Sequence, residues 1–539
     1  MRYGWQFAVS IGLIGFAPMT GHARQAPSTA ITVPDYSSRI LTPPAPDKPR
    51  INGPSVYGQR PGSPFLYAVP VTGIRPMTFA AKGLPEGLML DTSTGIISGV
   101  ATKAGEYNVR VTARNERGKQ DRTIRIVIGE KIALTPPLGW NSWNSWAGAI
   151  DQEKVRRAAK ILVSSGLVHH GWSYVNIDDT WQGRRTAPDH ALLANEKFPD
   201  MKGLCDELHG MGLKAGIYST PWIASYERYP GGSSDNPEGT WTKELADNKN
   251  HRIGSYHFAT VDTRQWASWG FDYLKYDWFP NDVASTTEIQ QALRNSGRDM
   301  ILSLSNSAPF DRASDWARLS NAWRTTGDIV DSWGESRSDW QQGMGKIAFS
   351  QDRWAPFTGP GHWNDPDMLV VGVVSLAQPM HYTHLTPDEQ YTHISMWSLL
   401  SAPMLIGCDL GKLDPFTLSL LTNDEVLAVD QDALGKGAFK VSGPAFVPPK
   451  YGTPPADNPG GNELVYAKEL EDGTYAVGLF NVGPTERNIT VKFADLKKGA
   501  RQPVRDLWRQ KDMGNFRDSY SVAVPSHGVV LVKIGSPRR

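Results

Sequence analysis

The sequence predicts an α/β protein, a (β/α)8 TIM barrel with a β-sandwich on either side of it. Three observations predict this. Between residues 132 and 435, short apolar or β-branched runs alternate with helical patterns. Several of those runs halt at an aspartate, as active-site residues do at the C-terminal ends of parallel strands. The segments before and after read as short alternating strands with turn signals and no helices.

The barrel strands are expected at LGWNSW (138–143), SYVNIDD (173–179), LKAGIYS (213–219), YLKYDW (273–278), MILSLSN (300–306), AWRTTGD (322–328), GHWND (361–365) and PMLIGCD (403–409). Helical patterns fall between them, such as DQEKVRRAAKILVSSG after the first and PDEQYTHISMWSLLSA before the last. A doubly wound open sheet would want a Gly-rich phosphate turn after an early strand, and none occurs. The long insertion over 220–260 follows the third strand, so it is expected to cover part of the pocket.

At 539 residues the chain exceeds one ordinary domain. Residues 51–130 carry the first set of short strands and 440–537 the second, while the Pro-, Ser- and Thr-rich stretch 24–50 reads as a linker. Residues 1–23 have the layout of a secretory signal peptide, with Arg2, an apolar run from Phe7 to Phe16 and small residues up to Ala23. That run is too short to span a bilayer and no other segment reaches that length, so an exported protein, periplasmic or secreted, is expected. A net charge of +1 offers no general attraction to nucleic acid. Cys205 and Cys408 are the only cysteines and read as two buried free thiols. The 19 tryptophans are mostly core by composition, although flat aromatic faces also suit sugar rings. Nothing in the sequence fixes an oligomeric state.

Residues two apart on a strand share a face, so Lys275 and Asp277 project together. A cation that close favours an ionised carboxylate, which suits a nucleophile; an internal salt bridge of the barrel would use the same two residues. Asp328 is expected to end another strand with Arg324 and Thr326 on its face. Arg324 would point at substrate hydroxyls, leaving Asp328 governed by burial and by the neighbouring negative charge. A carboxylate pair about 5–5.5 Å apart would make a retaining glycosidase, and about 6.5–9.5 Å an inverting one. Asp178 and Asp179 are adjacent, so one faces inward and the other the wall, gripping sugar hydroxyls or capping a helix. Asp365 and Asp367 could hold a metal, but no histidine stands at a ligand spacing to them, so no metal or other cofactor is expected.

The runs LGWNSWN, YVNIDDTW, GIYS, LKYDW, WRTTGDI, WNDPDML and SAPMLIGCDL resemble, in order, the motifs of glycoside hydrolase family 27, the α-galactosidases (melibiases) and α-N-acetylgalactosaminidases. LVYAKELEDGTYAVGLFNVG and VRDLW resemble that family's C-terminal antiparallel β-sandwich, and GLPEGLMLDTSTGIISGVATKAGEYNVRVTARNERG resembles an N-terminal immunoglobulin-like (Ig-like) β-sandwich of secreted bacterial enzymes. The resemblance implies a retaining exo-glycosidase acting on a carbohydrate substrate, an α-galactoside oligo- or polysaccharide. In it Asp277 is the nucleophile and Asp328 the general acid/base. Trp143, Asp178, Asp179, Tyr218, Lys275, Arg324 and Asp367 form the sugar-binding shell, and Ser307 stands near the sugar's 2-position. The chain departs from the family in two places. Trp278 and Phe279 stand where eukaryotic relatives hold a disulfide, and SLSNSAPF places the small Ser307 and Ala308 where galactosidases often carry a larger residue. An α-N-acetylgalactosaminidase or a β-L-arabinopyranosidase are therefore the rival expectations. A non-catalytic sugar-binding protein would have lost one of the two acids, and both are Asp here.

Overall fold

The computed structural model describes residues 31–537 except 246, 337, 339 and 377. The expected signal peptide lies outside them. The centre of the molecule is an eight-stranded, wholly parallel sheet. Its strands are β1 (Leu138–Asn141), β2 (Tyr174–Asn176), β3 (Lys214–Ser219), β4 (Tyr273–Asp277), β5 (Ile301–Ser305), β6 (Ala322–Arg324), β7 (Trp363–Asp365) and β8 (Met404–Ile406). They neighbour one another in chain order from β1 to β7, with β8 beside β1. Every residue of β3 is buried, which is why such strands read as near-continuous apolar runs instead of alternating ones. One parallel bridge, Leu369 to Ile406, joins the segment that follows β7 to β8.

The helices follow from their caps and stripes. In α1 (Gln152–Ser164), Asp151 accepts from the amide of Lys154, and Val155, Ala158, Ala159 and Leu162 form the buried stripe. Between it and α7 the chain forms α2 (Met201–Gly210), α3 (Ala259–Trp269), α4 (Val283–Arg294), α5 (Ala313–Leu319) and α6 (Met344–Ala348). α7 (Pro387–Leu400) opens on a capping box between Thr386 and Glu389, with Pro387 at its first position. Residues Glu389 to Leu400 of α7 are all buried. Trp508 donates from Nε1 to Ser395 Oγ at 2.8 Å and Thr392 to the carbonyl of His527 at 2.7 Å, which ties this helix to the C-terminal strands.

Those strands form an antiparallel six-stranded sheet with a two-stranded partner, Arg487–Lys492 with Ser519–Val524. The N-terminal module has sheets of four and three strands around Val71, Val109, Val111 and Ile126. It sits at the N-terminal end of the central strands. Asp299, just before β5, accepts from the Arg60 amide at 2.7 Å, from Gln59 Nε2 at 2.9 Å and from the Arg60 guanidinium. Lys214, the first residue of β3, lies over the Tyr57 ring and bonds its hydroxyl. The aspartates that end the strands are at the opposite face.

Two expectations are corrected. Part of the expected linker is docked on the central domain: Tyr36 packs on Phe416, and Tyr391 donates to the Arg39 carbonyl at 2.8 Å. The strand AWRTTGD stops at Arg324, because that guanidinium turns back to donate to the Gly327 carbonyl at 2.8 Å and draws residues 325–327 around itself. Both cysteines are buried and free.

Candidate active site

At the C-terminal end of the sheet, a cavity of about 250 Å³ is lined by nine of the ten residues singled out in the sequence. Asp277 ends β4. Tyr218 donates to its Oδ2 at 3.0 Å, and Asn306 Nδ2 donates to its Oδ1. Burial pushes this carboxyl up to about 7, Lys275 pulls it down, and Asp178 and Asp328 push it up further. Lys275 and Asp277 face the same cavity, as alternation predicts, but the ion-pair partner of the lysine is Asp178. Lys275 Nζ lies 2.9 Å from Asp178 Oδ2, since the loop after β2 brings that carboxylate across the pocket. Burial works against the Lys275 charge, and Asp178 and Asp277 together override it and hold the ammonium charged.

Asp178 and Asp179 both line the cavity, because the strand ends at Asn176 and alternation no longer governs them. No helix starts there. Asp179 Oδ1 accepts from the Thr180 amide at 2.7 Å and Gln182 Nε2 at 2.8 Å, and its Oδ2 from the Glu227 amide at 3.1 Å. Burial pushes Asp179 up to about 6 against those bonds.

Arg324 lies 2.6 Å from Asp367 Oδ2 and 3.2 Å from Asp328 Oδ1, so its charge is committed to two carboxylates. The Asp328 side chain is 46% exposed, which corrects the expectation that burial governs it. Its other oxygen accepts from Trp340 Nε1 at 3.3 Å. Asp367 accepts from the Ile329 amide at 2.8 Å and has φ 90°, a left-handed backbone unusual for a buried non-glycine residue. Burial pushes its carboxyl up to about 6, with Arg324 opposing. Asp365 stands behind it and accepts the Asp367 amide. Among the described residues, the one grouping of possible metal ligands is Asp331, His381 and His384, which contains neither Asp365 nor Asp367.

Ser307 does not line the cavity. Asn306 and Ser307 both have positive φ, 71° and 49°, so alternation breaks after Ser305, and Asn306 turns inward to Asp277 in its place. Sequence reasoning also passed over Tyr226 and Trp340. Tyr226 belongs to the 220–260 insertion and lines the cavity, as a covering loop should. Burial first, then the charges of Asp277 and Asp328, push its phenol well up. Trp340 sits in a polar loop with no periodic signal to announce it.

A family model described as Alpha galactosidase A matches residues 135–249 and 249–432. The chain belongs to that family. As a member of the alpha-galactosidase A family it is a glycoside hydrolase, and its C-terminal strands match the family's C-terminal beta sandwich model over residues 460–534. Residues 48–129 match an Ig domain model. Alpha-galactosidase 2 of Arabidopsis thaliana is 35% identical over 411 residues, covering 75% of this family member and 90% of the relative. A Bacteroides fragilis crystal structure, a candidate alpha-galactosidase, superposes with a TM-score of 0.79 at 30% identity, over 93% of this chain and 100% of the other. A β-L-arabinopyranosidase from Geobacillus stearothermophilus is 26% identical with a TM-score of 0.60, over 75% of this chain and 98% of that one.

Proposed function

We propose that this protein hydrolyses terminal α-D-galactosyl residues from galactosides by a retaining double displacement. One observation carries the reading: a single cavity holds two aspartates in opposite settings. Asp277 is buried and accepts from Tyr218 and Asn306, while Asp328 stands half-exposed at the mouth beside Arg324. Carboxyls in different environments take different parts in acid–base chemistry. Asp277 attacks the anomeric carbon as the C1–O bond breaks, and Asp328 delivers its proton to the departing oxygen. Asp328 then takes a proton from water, whose oxygen displaces Asp277 and frees the sugar. A group that must serve first the leaving oxygen and then water belongs at the mouth. Trp143, Asp178, Asp179, Tyr218, Lys275, Arg324 and Asp367 hold the sugar, and Asn306 replaces Ser307 beside Asp277.

The test is a panel of p-nitrophenyl glycosides: α-galactoside, α-N-acetylgalactosaminide and β-L-arabinopyranoside. Fastest release from the α-galactoside is expected, and preference for either rival overturns the choice of sugar. Asp277→Ala should abolish turnover in a folded protein; retained activity removes Asp277 as nucleophile.

The same reading takes the parallel sheet to be a closed (β/α)8 barrel, supported by the Leu369–Ile406 bridge from the segment after β7 to β8. It divides the chain into an Ig-like module (51–130), a barrel (132–435) and a C-terminal sandwich (440–537). Separate apolar clusters around Val109 and around Val477 support that division. Residues 1–23 support export to the periplasm or beyond. N-terminal sequencing of the protein in its native cell tests this, and an intact Met1 on cytosolic protein refutes it.

A further inference from the structure

Apolar side chains left in water usually mark contact surfaces when they cluster. Among the described residues Trp340 is the one tryptophan that stands well out in solvent, 38% exposed. Its ring meets that of Phe279, itself 46% exposed, edge to face with centroids 5.2 Å apart. Each ring is mounted on one of the two acids. Phe279 follows Asp277 by two residues, and Asn281 pins that turn by donating to the carbonyls of Trp278 at 2.7 Å and Ser305 at 3.1 Å. Trp340 touches Asp328 through Nε1, and its carbonyl lies so close to Gly327 that a Cβ there would be 2.1 Å from it. The amide of Gln342 donates to the Asp328 carbonyl at 2.7 Å, so ring and acid are held on one frame.

We propose that Phe279 and Trp340 form a binding subsite for the leaving group, an apolar platform for the pyranose ring next to the galactosyl unit. The inference rests on the roles given above to Asp277 and Asp328. The oxygen protonated by Asp328 is the bridge to the leaving group, so whatever that oxygen carries lies over the mouth where these two rings stand. An aromatic pair takes the C–H face of a sugar by area and shape, without hydrogen bonds that would fix one linkage. It therefore favours a sugar leaving group over a small one while tolerating different linkages.

The experiment compares kcat/KM for a galactose-α-1,6-linked disaccharide with that for α-galactosyl fluoride, whose leaving group is a single atom. In Phe279→Ala the disaccharide-to-fluoride ratio should fall by about three- to tenfold, the size of one lost aromatic contact. Phe279→Leu keeps bulk without the ring and should fall similarly, and Phe279→Tyr should restore the ratio. A ratio constant within about twofold in both Ala and Leu variants overturns the platform, as does an equal loss on both substrates, which would place Phe279 in the positioning of Asp277. Failure of the unaltered enzyme on both substrates removes the galactosidase reading and the subsite with it.

Discussion

Asp277→Asn should make the protein more stable at neutral and alkaline pH while it removes activity. Burial raises this carboxyl from an ordinary 3.8 to about 7. That displacement of about three pH decades, at roughly 1.4 kcal/mol per decade, means the ionised form costs the fold about 4 kcal/mol. The sign follows from proton counting. Between pH 3.8 and about 7 the native state binds more protons at this site than the unfolded chain, so stability falls as pH rises through that window. The cost is fully present above about 7 and absent below 3.8. Asparagine keeps an acceptor for only one of Tyr218 and Asn306, which returns roughly 1 kcal/mol. A net gain of about 2–3 kcal/mol should raise the melting temperature by about 5 °C at pH 8. Calorimetry of both proteins from pH 4 to pH 9 measures it. The gain should shrink as the pH is lowered and vanish near pH 4. Parallel melting curves across that range would refute the argument that desolvation governs Asp277.

The same carboxyl must be ionised to attack, so kcat/KM should rise through about pH 7 on its acid side. Lys275→Met should move that limb to higher pH and lower kcat/KM by about a hundredfold, because Asp178 loses its partner and Asp277 its nearby cation; an unmoved limb in the pH–rate profile contradicts this. Arg324→Lys cannot bridge Asp367 and Asp328 with one point charge, so kcat/KM should drop by about ten- to a hundredfold in steady-state assays. Lys468 lies under the C-terminal sandwich beside buried Asp430, donating to the carbonyl of Val429 and to Ser401 Oγ. Lys468→Ala should therefore cost about 3–5 kcal/mol in thermal melts, and adding Asp430→Asn should recover much of it.

The order of the central strands was legible because parallel strands buried on both faces leave apolar runs in the chain, and all eight runs became strands. Their ends were less legible. Nothing local in AWRTTGD says that Arg324 will donate to the Gly327 carbonyl and end the strand. Alternation placed Lys275 and Asp277 on one face correctly. It could not place Asp178, which arrives from another loop and takes the lysine. Ser307 is displaced because left-handed backbone at Asn306 and Ser307 reorients both side chains; Asn tolerates that region, but Ser307 gives no sign of it as glycine would. Tyr226 and Trp340 reach the pocket from loops whose paths are set by tertiary contacts, so no periodicity marks them.

Helix α7 connects the sugar pocket to the far end of the molecule. Trp397, on this helix, donates to the carbonyl of Asp367 at 2.7 Å, and two residues earlier Ser395 receives Trp508 from the C-terminal segment. A chimera or truncation cut after the parallel-sheet domain would strip that helix of its cover and loosen the backbone of a residue proposed to hold the sugar. The seam near residue 130 is different in kind: Arg60, Gln59 and Tyr57 contact Asp299 and Lys214 there, at the end of the sheet remote from the cavity. Module exchange is therefore expected to succeed at the front of the chain and to fail at the back.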